Sequence, residues 1–339
     1  MKSDIKDFTH EELKEKLISL RQPAYRADQV MGWLYLKRAK SFSQMSNLPA
    51  ELQKKLADKF YIGELKLAER FISKDQTQKF LFKLKDGHFI ETVLIKATGR
   101  QTVCLSTQVG CKFACKFCAS GKKGFIRNLK PSEIIEQITY LERHLDSHIT
   151  NVVFMGMGEP LDNYKNTVRS IEIINDEKCL NMAARRITVS TCGIIPAIKK
   201  LKNLNLQINL SISLHAADDK LRSRLMPVNK KYPLKKLINE LESYFAKTGR
   251  KLTLEYILIN SVNSSKKDAE ALAEIAKELK ATVNLIEYHE VASSSFKSPG
   301  KETVDKFIKY LRRLGANVTL RISKGTDIGG ACGQLAGRI

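Results

Sequence analysis

The sequence predicts an α/β protein: an incomplete, open-sided barrel of about six strand–helix units, preceded by a small helical unit and a β-hairpin. Three observations predict it. Beyond Thr107, strand-like runs alternate with helical stretches, which implies parallel strands joined by right-handed crossovers. Residues before about 60 follow a helical period instead. Between them, alternating residues flank Asp86-Gly87, a hairpin turn signal.

In chain order, Thr9-His10-Glu11-Glu12 is a capping-box pattern that opens a helix carrying Leu13, Leu17 and Leu20. A second helix is expected from Tyr25 to Lys37, burying Val30, Trp33 and Leu34, and a third from Pro49, burying Leu52 and Leu56. Lys79–Leu84 and His88–Ile95 form the hairpin, and Val103–Thr107 a further strand. Strands follow at Asn151–Met155, Arg186–Ser190, Gln207–Ser213, Leu252–Leu258, Thr282–Tyr288 and Val318–Ile322. The helices between them are Pro131–His144, Tyr164–Asn175, Ile195–Leu201, Pro233–Thr248, Ser265–Leu279 and Glu302–Leu314. Three units are expected: a helical accessory unit over 1–62, a hairpin extension over 63–96, and a core over 97–339 that ends in a cysteine-bearing loop. In parallel barrels the chemistry sits at the C-terminal ends of the strands, and the informative residues here fall just after strands.

Lys and Arg number 58 against 36 Asp and Glu, a net charge of +22. Such an excess repels itself in the folded state and favours a polyanionic partner. Nucleic acid is the first candidate, because neutralised phosphates release counterions. Arg21, Arg26, Lys37, Arg38 and Lys40 crowd the helical unit, as a solvated face or as part of an RNA-binding surface. No apolar run approaches a bilayer span and Met1-Lys2-Ser3-Asp4 opens no signal peptide, so a cytoplasmic protein with no membrane partner is expected. Seven cysteines, an odd count, argue against a disulfide framework.

Cys111, Cys115 and Cys118 make C-x3-C-x2-C on one tight loop after a strand. A cubane iron–sulfur cluster normally takes four cysteines, so three leave one iron open to a substrate. Zinc sites more often pair C-x2-C with a second pair or with His, and neither lies near this loop. Phe154-Met155-Gly156-Met157-Gly158-Glu159-Pro160 follows a strand. Its glycines let backbone approach a ligand closely, and its carboxylate suits an ammonium group; a Gly-rich turn with an exposed Glu is the plain alternative. Cys332 stands in a Gly-rich tail, Gly325–Leu335.

These motifs resemble the radical S-adenosylmethionine superfamily. Phe117, before the third cysteine, fits that family's aromatic position. MGMGEP and the tail sequence ACGQL resemble its RlmN/Cfr group of RNA adenine methyltransferases, as do Pro23–Gln29, Ser106–Cys111, Ser213–Ala216 and Met226–Asn229. The resemblance covers nearly the whole chain. It implies a radical-SAM barrel, one [4Fe-4S] cluster on Cys111, Cys115 and Cys118, and two S-adenosyl-L-methionine molecules per turnover. It implies cofactor contacts from Gly158, Glu159, Ser190, Ser213, Leu214, His215 and, where the family commonly has Asn, His289. On residues alone, His215 reads equally as a satisfied core histidine.

The same resemblance makes Cys332 a methyl carrier that is itself methylated first. A second S-adenosylmethionine, reductively cleaved, then yields the adenosyl radical that activates this methyl toward adenine carbon 2. That carbon is electrophilic, so simple displacement fails there. Cys104 is implied as the second redox cysteine, leaving a transient disulfide with Cys332, and Glu91 as proton acceptor. The implied substrates are 23S rRNA and tRNA, with an electron donor such as flavodoxin or ferredoxin. Cys179 and Cys192 match no role and read as structural. The tail shows Ile328-Gly329-Gly330-Ala331 where Asp-Ala is commoner before the last Ala, and extra glycine predicts a more mobile loop. Two rival readings stand: methylation at adenine carbon 8, and a non-enzymatic, metal-stabilised RNA-binding protein.

Overall fold

In the computed structural model, residues 2–145, 148–291 and 294–337 are described. The first sixty residues build the expected helical unit. Helix α1 (His10–Ser19) starts with the capping box: Thr9 Oγ1 accepts from Glu12 N, and Glu12 Oε2 accepts from Thr9 N at 2.9 Å. Helix α2 (Arg26–Met31) does not run straight to Lys37. It widens at Gly32–Leu36 into a π turn. Trp33 is half-exposed rather than buried: its indole N–H donates to Asn47 Oδ1, and the Lys37 ammonium lies 3.9 Å over its ring. Helix α3 (Ala50–Lys59) follows. The two-residue strands β1 (Ser3–Asp4) and β2 (Phe60–Tyr61) pair in parallel and tie the unit's ends together.

The hairpin acquires a third strand that the sequence pattern did not flag. Strands β3 (Lys66–Ile72), β4 (Gln78–Lys83) and β5 (Phe89–Ala97) are antiparallel, and β5 pairs with β6 (Arg100–Cys104). The extension therefore belongs to the same sheet as the barrel. Strand β3 escaped detection because neither of its faces is well buried, so no apolar alternation marks it.

After β6 come β7 (Gln108–Gly110), the short helix α4 (Ala119–Lys122) and β8 (Phe125–Asn128). Helix α5 (Pro131–Leu145) then crosses over to β9 (Asn151–Phe154). The alternation continues with α6 (Tyr164–Asn175), β10 (Ile187–Thr191), α7 (Ile195–Leu201) and β11 (Asn209–Ser213). Next are α8 (Asp219–Leu225), α9 (Leu234–Thr248), β12 (Leu252–Leu258) and α10 (Lys266–Glu278). The order ends with β13 (Thr282–Glu287), α11 (Lys301–Arg313) and β14 (Asn317–Arg321). Strands β6, β9, β10, β11, β12, β13 and β14 lie side by side in that order, all parallel. This is the open α/β barrel the alternation predicts.

The barrel's apolar packing sits between sheet and helices, where Val152, Ile187, Leu210, Leu254 and Leu285 meet Ile171, Ile198, Leu241, Leu272 and Phe307, all but buried. The opposite face differs. Parallel barrels usually fill their interior with bulky branched side chains. Here the lumen presents Thr102, Thr188, Asn209, Ser211, Thr253 and Asn284, and a cavity of about 1650 Å³ that opens to solvent remains among them. Among the described residues no helix is long and apolar enough to cross a membrane.

Candidate active site

A second cavity, of about 880 Å³ and open to solvent, lies at the C-terminal ends of the strands. Cys111, Cys115 and Cys118 line it together, as their spacing predicts. The antiparallel ribbon of β7 and β8 brackets their loop. Cys111 N donates to Gly124 O at 2.8 Å, Lys116 N to Leu225 O at 2.9 Å, and Ala114 takes a left-handed turn at φ 49°. Burial pushes all three thiols up, Cys111 to about 12, so each favours a cationic ligand over a bare thiolate. Among the described residues no three His, Cys, Asp or Glu side chains converge as ligands of a single ion do. A donor set of three thiols on one loop, lining one cavity, fits a cubane cluster with one iron open.

The wall opposite carries the other expected residues. Glu159 is buried; its Oε2 accepts from Cys192 N at 2.8 Å and its Oε1 from Leu161 N at 3.0 Å. Burial raises its pKa, and an arriving ammonium group would relieve that cost. Ser190 and Ser213 face the cavity from the ends of β10 and β11, their hydroxyls 3.4 Å apart. His215 is buried at φ 58°, its ring edge-on to Phe117. Its Nδ1 accepts from Ile257 N at 3.0 Å, which leaves the proton on Nε2. Burial drops its pKa to about 3, so it is a neutral donor at ordinary pH. Leu214 is buried behind the wall, its N–H donating to Glu255 O. His289 does not line the cavity, but its Nε2 is buried without a hydrogen-bond partner among the described residues.

Gly158 has φ +95°, and a Cβ there would stand 2.5 Å from Gln108 Cβ. Gly158→Ala is therefore expected to destabilise the protein by about 1–3 kcal/mol. It should also displace Glu159 and weaken S-adenosylmethionine binding. Thermal melting and equilibrium dialysis check this; a variant that melts and binds like the parent removes the argument.

Cys332 lines both the upper cavity and the lumen below it. Its loop is tethered, not loose. Asp75 Oδ2 accepts from Gly325 N at 3.0 Å, and Ser73 Oγ donates to Asp327 Oδ1 at 2.6 Å. Downstream, Ala119 N donates to Gly333 O at 2.7 Å and Ser120 Oγ to Leu335 O. The extra mobility expected of the glycines gives way to a geometric role. Gly325, Gly329, Gly333 and Gly337 all sit at positive φ, between 63° and 83°, where only glycine turns freely.

Cys104 is buried at the end of β6 and lines the lumen with Cys332. Burial first, then Cys332, pushes its pKa to about 12. The expected disulfide finds no support in this structure: all seven cysteines are free thiols. The resemblance implies that bond only at the end of a turnover. Glu91 lines neither cavity. Its carboxylate meets Lys79 Nζ at 3.0 Å and accepts from Ala336 N at 2.6 Å and Gly337 N at 3.0 Å, so it clasps the tail beyond Cys332.

Cys179 is buried, as a structural reading requires. Cys192 is not merely structural. It lines the cavity, its N–H donates to Glu159, and its carbonyl accepts from Arg222. Three further residues escaped the sequence reading. Arg222 is fully buried and donates to Leu214 O, Asn229 Oδ1, Cys192 O and Ser213 O, which stitches together the strand ends that carry the cavity wall. Glu255 and Arg321 line both cavities. Glu255 had a signal, being the one charge in an otherwise uncharged strand, Leu252–Leu258.

Comparison with known proteins identifies the family. The Radical SAM superfamily model matches residues 105–273, and the ribosomal RNA large subunit methyltransferase N-terminal domain model matches residues 3–62. A Clostridium botulinum (strain Okra) protein named "Probable dual-specificity RNA methyltransferase RlmN" is 43% identical over 98% of this chain and 97% of its own length. A Clostridioides difficile (strain 630) protein of the same name is 42% identical over 98% of this chain and 96% of its own length. The crystal structure of a radical SAM methyltransferase from Sphaerobacter thermophilus superposes with a TM-score of 0.93. It is 41% identical and covers 98% of this chain and 99% of that one. With both family models matched and relatives more than 40% identical over 98% of its length, the chain belongs to the RlmN family of radical S-adenosylmethionine RNA methyltransferases.

Proposed function

We propose that this protein methylates carbon 2 of an adenine in 23S rRNA and in tRNA in the cytoplasm, with Cys332 as the carrier of the methyl carbon. The observation that carries the reading is the placement of Cys332 between the cavity of the three loop thiols and the lumen that holds Cys104. Cys111, Cys115 and Cys118 would hold a [4Fe-4S] cluster, which with S-adenosylmethionine and an electron from a flavodoxin or ferredoxin would supply a one-electron cleavage of the sulfonium.

The chain's own residues do the rest. The Glu159 carboxylate pairs with the cofactor's ammonium, while Ser190, Ser213 and the Nε2–H of His215 offer hydrogen bonds along its length. Cys332 gives up its thiol proton and takes a methyl group on its sulfur. That methyl would then lose one hydrogen atom to the adenosyl radical, and its carbon, still bonded to sulfur, would bond adenine carbon 2, which gives up its own proton to a base while the surplus electron returns to the oxidised cluster. The Cys104 thiolate then attacks the Cys332 sulfur. An S–S bond forms, the S–C bond breaks, and its electron pair leaves with the carbon, which takes up a proton as the product methyl. A transient disulfide of this type suits a reducing compartment. An unpaired or extruded adenine reaches the barrel, and the charge of +22 holds the surrounding phosphates.

The test is anaerobic reconstitution, incubation with unmodified 23S rRNA fragments and tRNA, and mass spectrometry of the nucleosides. The expected product is 2-methyladenosine, absent with Cys332→Ala. No methyladenosine, 8-methyladenosine instead, or an unaffected Cys332→Ala variant would each overturn it.

A further inference from the structure

The upper cavity and the lumen meet at a neck. Six residues line both: Met155, Glu255, Ile286, Arg321, Cys332 and Leu335. On the proposed function, a base that receives carbon from Cys332 sits at this neck. Glu255 and Arg321 are its only ionisable side chains besides the thiol.

Glu255 points inward from β12, level with Ser213 on β11 and Asn284 on β13, and its side chain is 5% exposed. Its Oε1 accepts from Asn284 Nδ2 at 3.2 Å. Its Oε2 is buried and has no hydrogen-bond partner among the described residues. Arg321 Nη1 stands 3.9 Å from that oxygen, too far for a hydrogen bond. Burial raises the carboxyl's pKa, and Arg321 opposes the rise. A buried acceptor left unpaired costs stability that a ligand's donor would restore.

Adenine presents a matching edge. Carbon 2 faces the sulfur, N1 beside it accepts, and the amino group on carbon 6 donates. We propose that Glu255 accepts a hydrogen bond from the adenine amino group while Arg321 donates to N1, which makes this pair the purine-reading element of the site. The inference rests on the proposed function and adds the residues that choose the base. A purine with oxygen at carbon 6 would set a lone pair against the carboxylate. Sites built around a hydrogen bond reject such analogues strongly, by about 10⁴-fold in favourable cases.

The test uses the reconstituted protein and RNA carrying adenosine or inosine at the target position. Inosine keeps the hydrogen on carbon 2, replaces the amino group read by Glu255 with a carbonyl, and turns N1 into a donor facing Arg321 in wild type and Glu255 variants alike. Wild type should prefer adenosine in kcat/KM. Glu255→Gln, whose amide both donates and accepts, should lower that preference at least tenfold, partly by gaining activity on inosine. A merely structural role would depress both substrates together. Glu255→Asp, which keeps the charge but shortens the reach, should lose activity on adenosine yet still reject inosine. An unchanged adenosine-to-inosine ratio in Glu255→Gln overturns the inference. If that variant does not fold, an Asp variant that accepts inosine overturns it. Wild type that methylates neither RNA overturns the proposed function instead, so the two failures are distinguishable.

Discussion

A Cys104→Ala variant is expected to stop at a covalent protein–RNA adduct. The carbon would reach the base through Cys332, and the S–C bond would then have no thiolate to break it. Multiple turnovers should fall to less than one product per enzyme, with RNA retained on the protein through denaturing electrophoresis. Peptide mapping should place the link on Cys332. Adding Cys332→Ala to the same chain should abolish the adduct, since the carrier is then gone. The placement supports this result: Cys104 shares the lumen with Cys332 and has no other cysteine partner there. Normal turnover without an adduct would remove Cys104 from the resolving role.

The largest stability effect is expected at Arg222. Its guanidinium is fully buried and donates to three backbone carbonyls and one side-chain oxygen. Arg222→Met keeps much of the bulk and removes every donor. Each buried acceptor left behind costs about 1–3 kcal/mol, less where water enters. A net loss of about 3–5 kcal/mol follows, in the range where single substitutions become diagnostic. At roughly 2 °C per kcal/mol for a chain of this size, the melting temperature should fall by about 6–10 °C. Because Arg222 ties the carbonyls of Cys192, Ser213 and Leu214, cofactor affinity should fall with it. A variant that melts within a degree of the parent would show that the strand ends hold themselves.

The barrel was legible because βα alternation leaves a long periodic trace, and the cysteine loop because its ligands are neighbours in sequence. The short ribbon of β7 and β8 and the short helices α4 and α8 leave no such trace, as a few residues carry too little periodicity. Sequence alone also placed Glu159, Ser190, Ser213 and His215 on one wall through resemblance, and the structure brings them there. It could not place Glu91, because the clasp with Ala336 and Gly337 spans some 245 residues. Arg222 was hidden for another reason. An arginine four residues into a polar helix reads as solvated surface, and only the fold reveals four acceptors converging on it. Lumen polarity was similarly out of reach, since Thr188, Asn209 and Asn284 are ordinary strand residues until their register aligns them.

The order of the sheet bears on how the enzyme comes into being. From β9 to β14 each strand is laid beside the one made just before it, so the wall of the barrel grows outward as the polypeptide leaves the ribosome. The tail that bears Cys332 comes last, and it returns to Asp75 across 250 positions. An unfinished chain thus has the ligand loop long before it has a sulfur to carry carbon. On the proposed function, premature termination or a stall in the final stretch would leave a protein with no sulfur to carry carbon to RNA, and without the bonds that Gly333 and Leu335 make to the ligand loop.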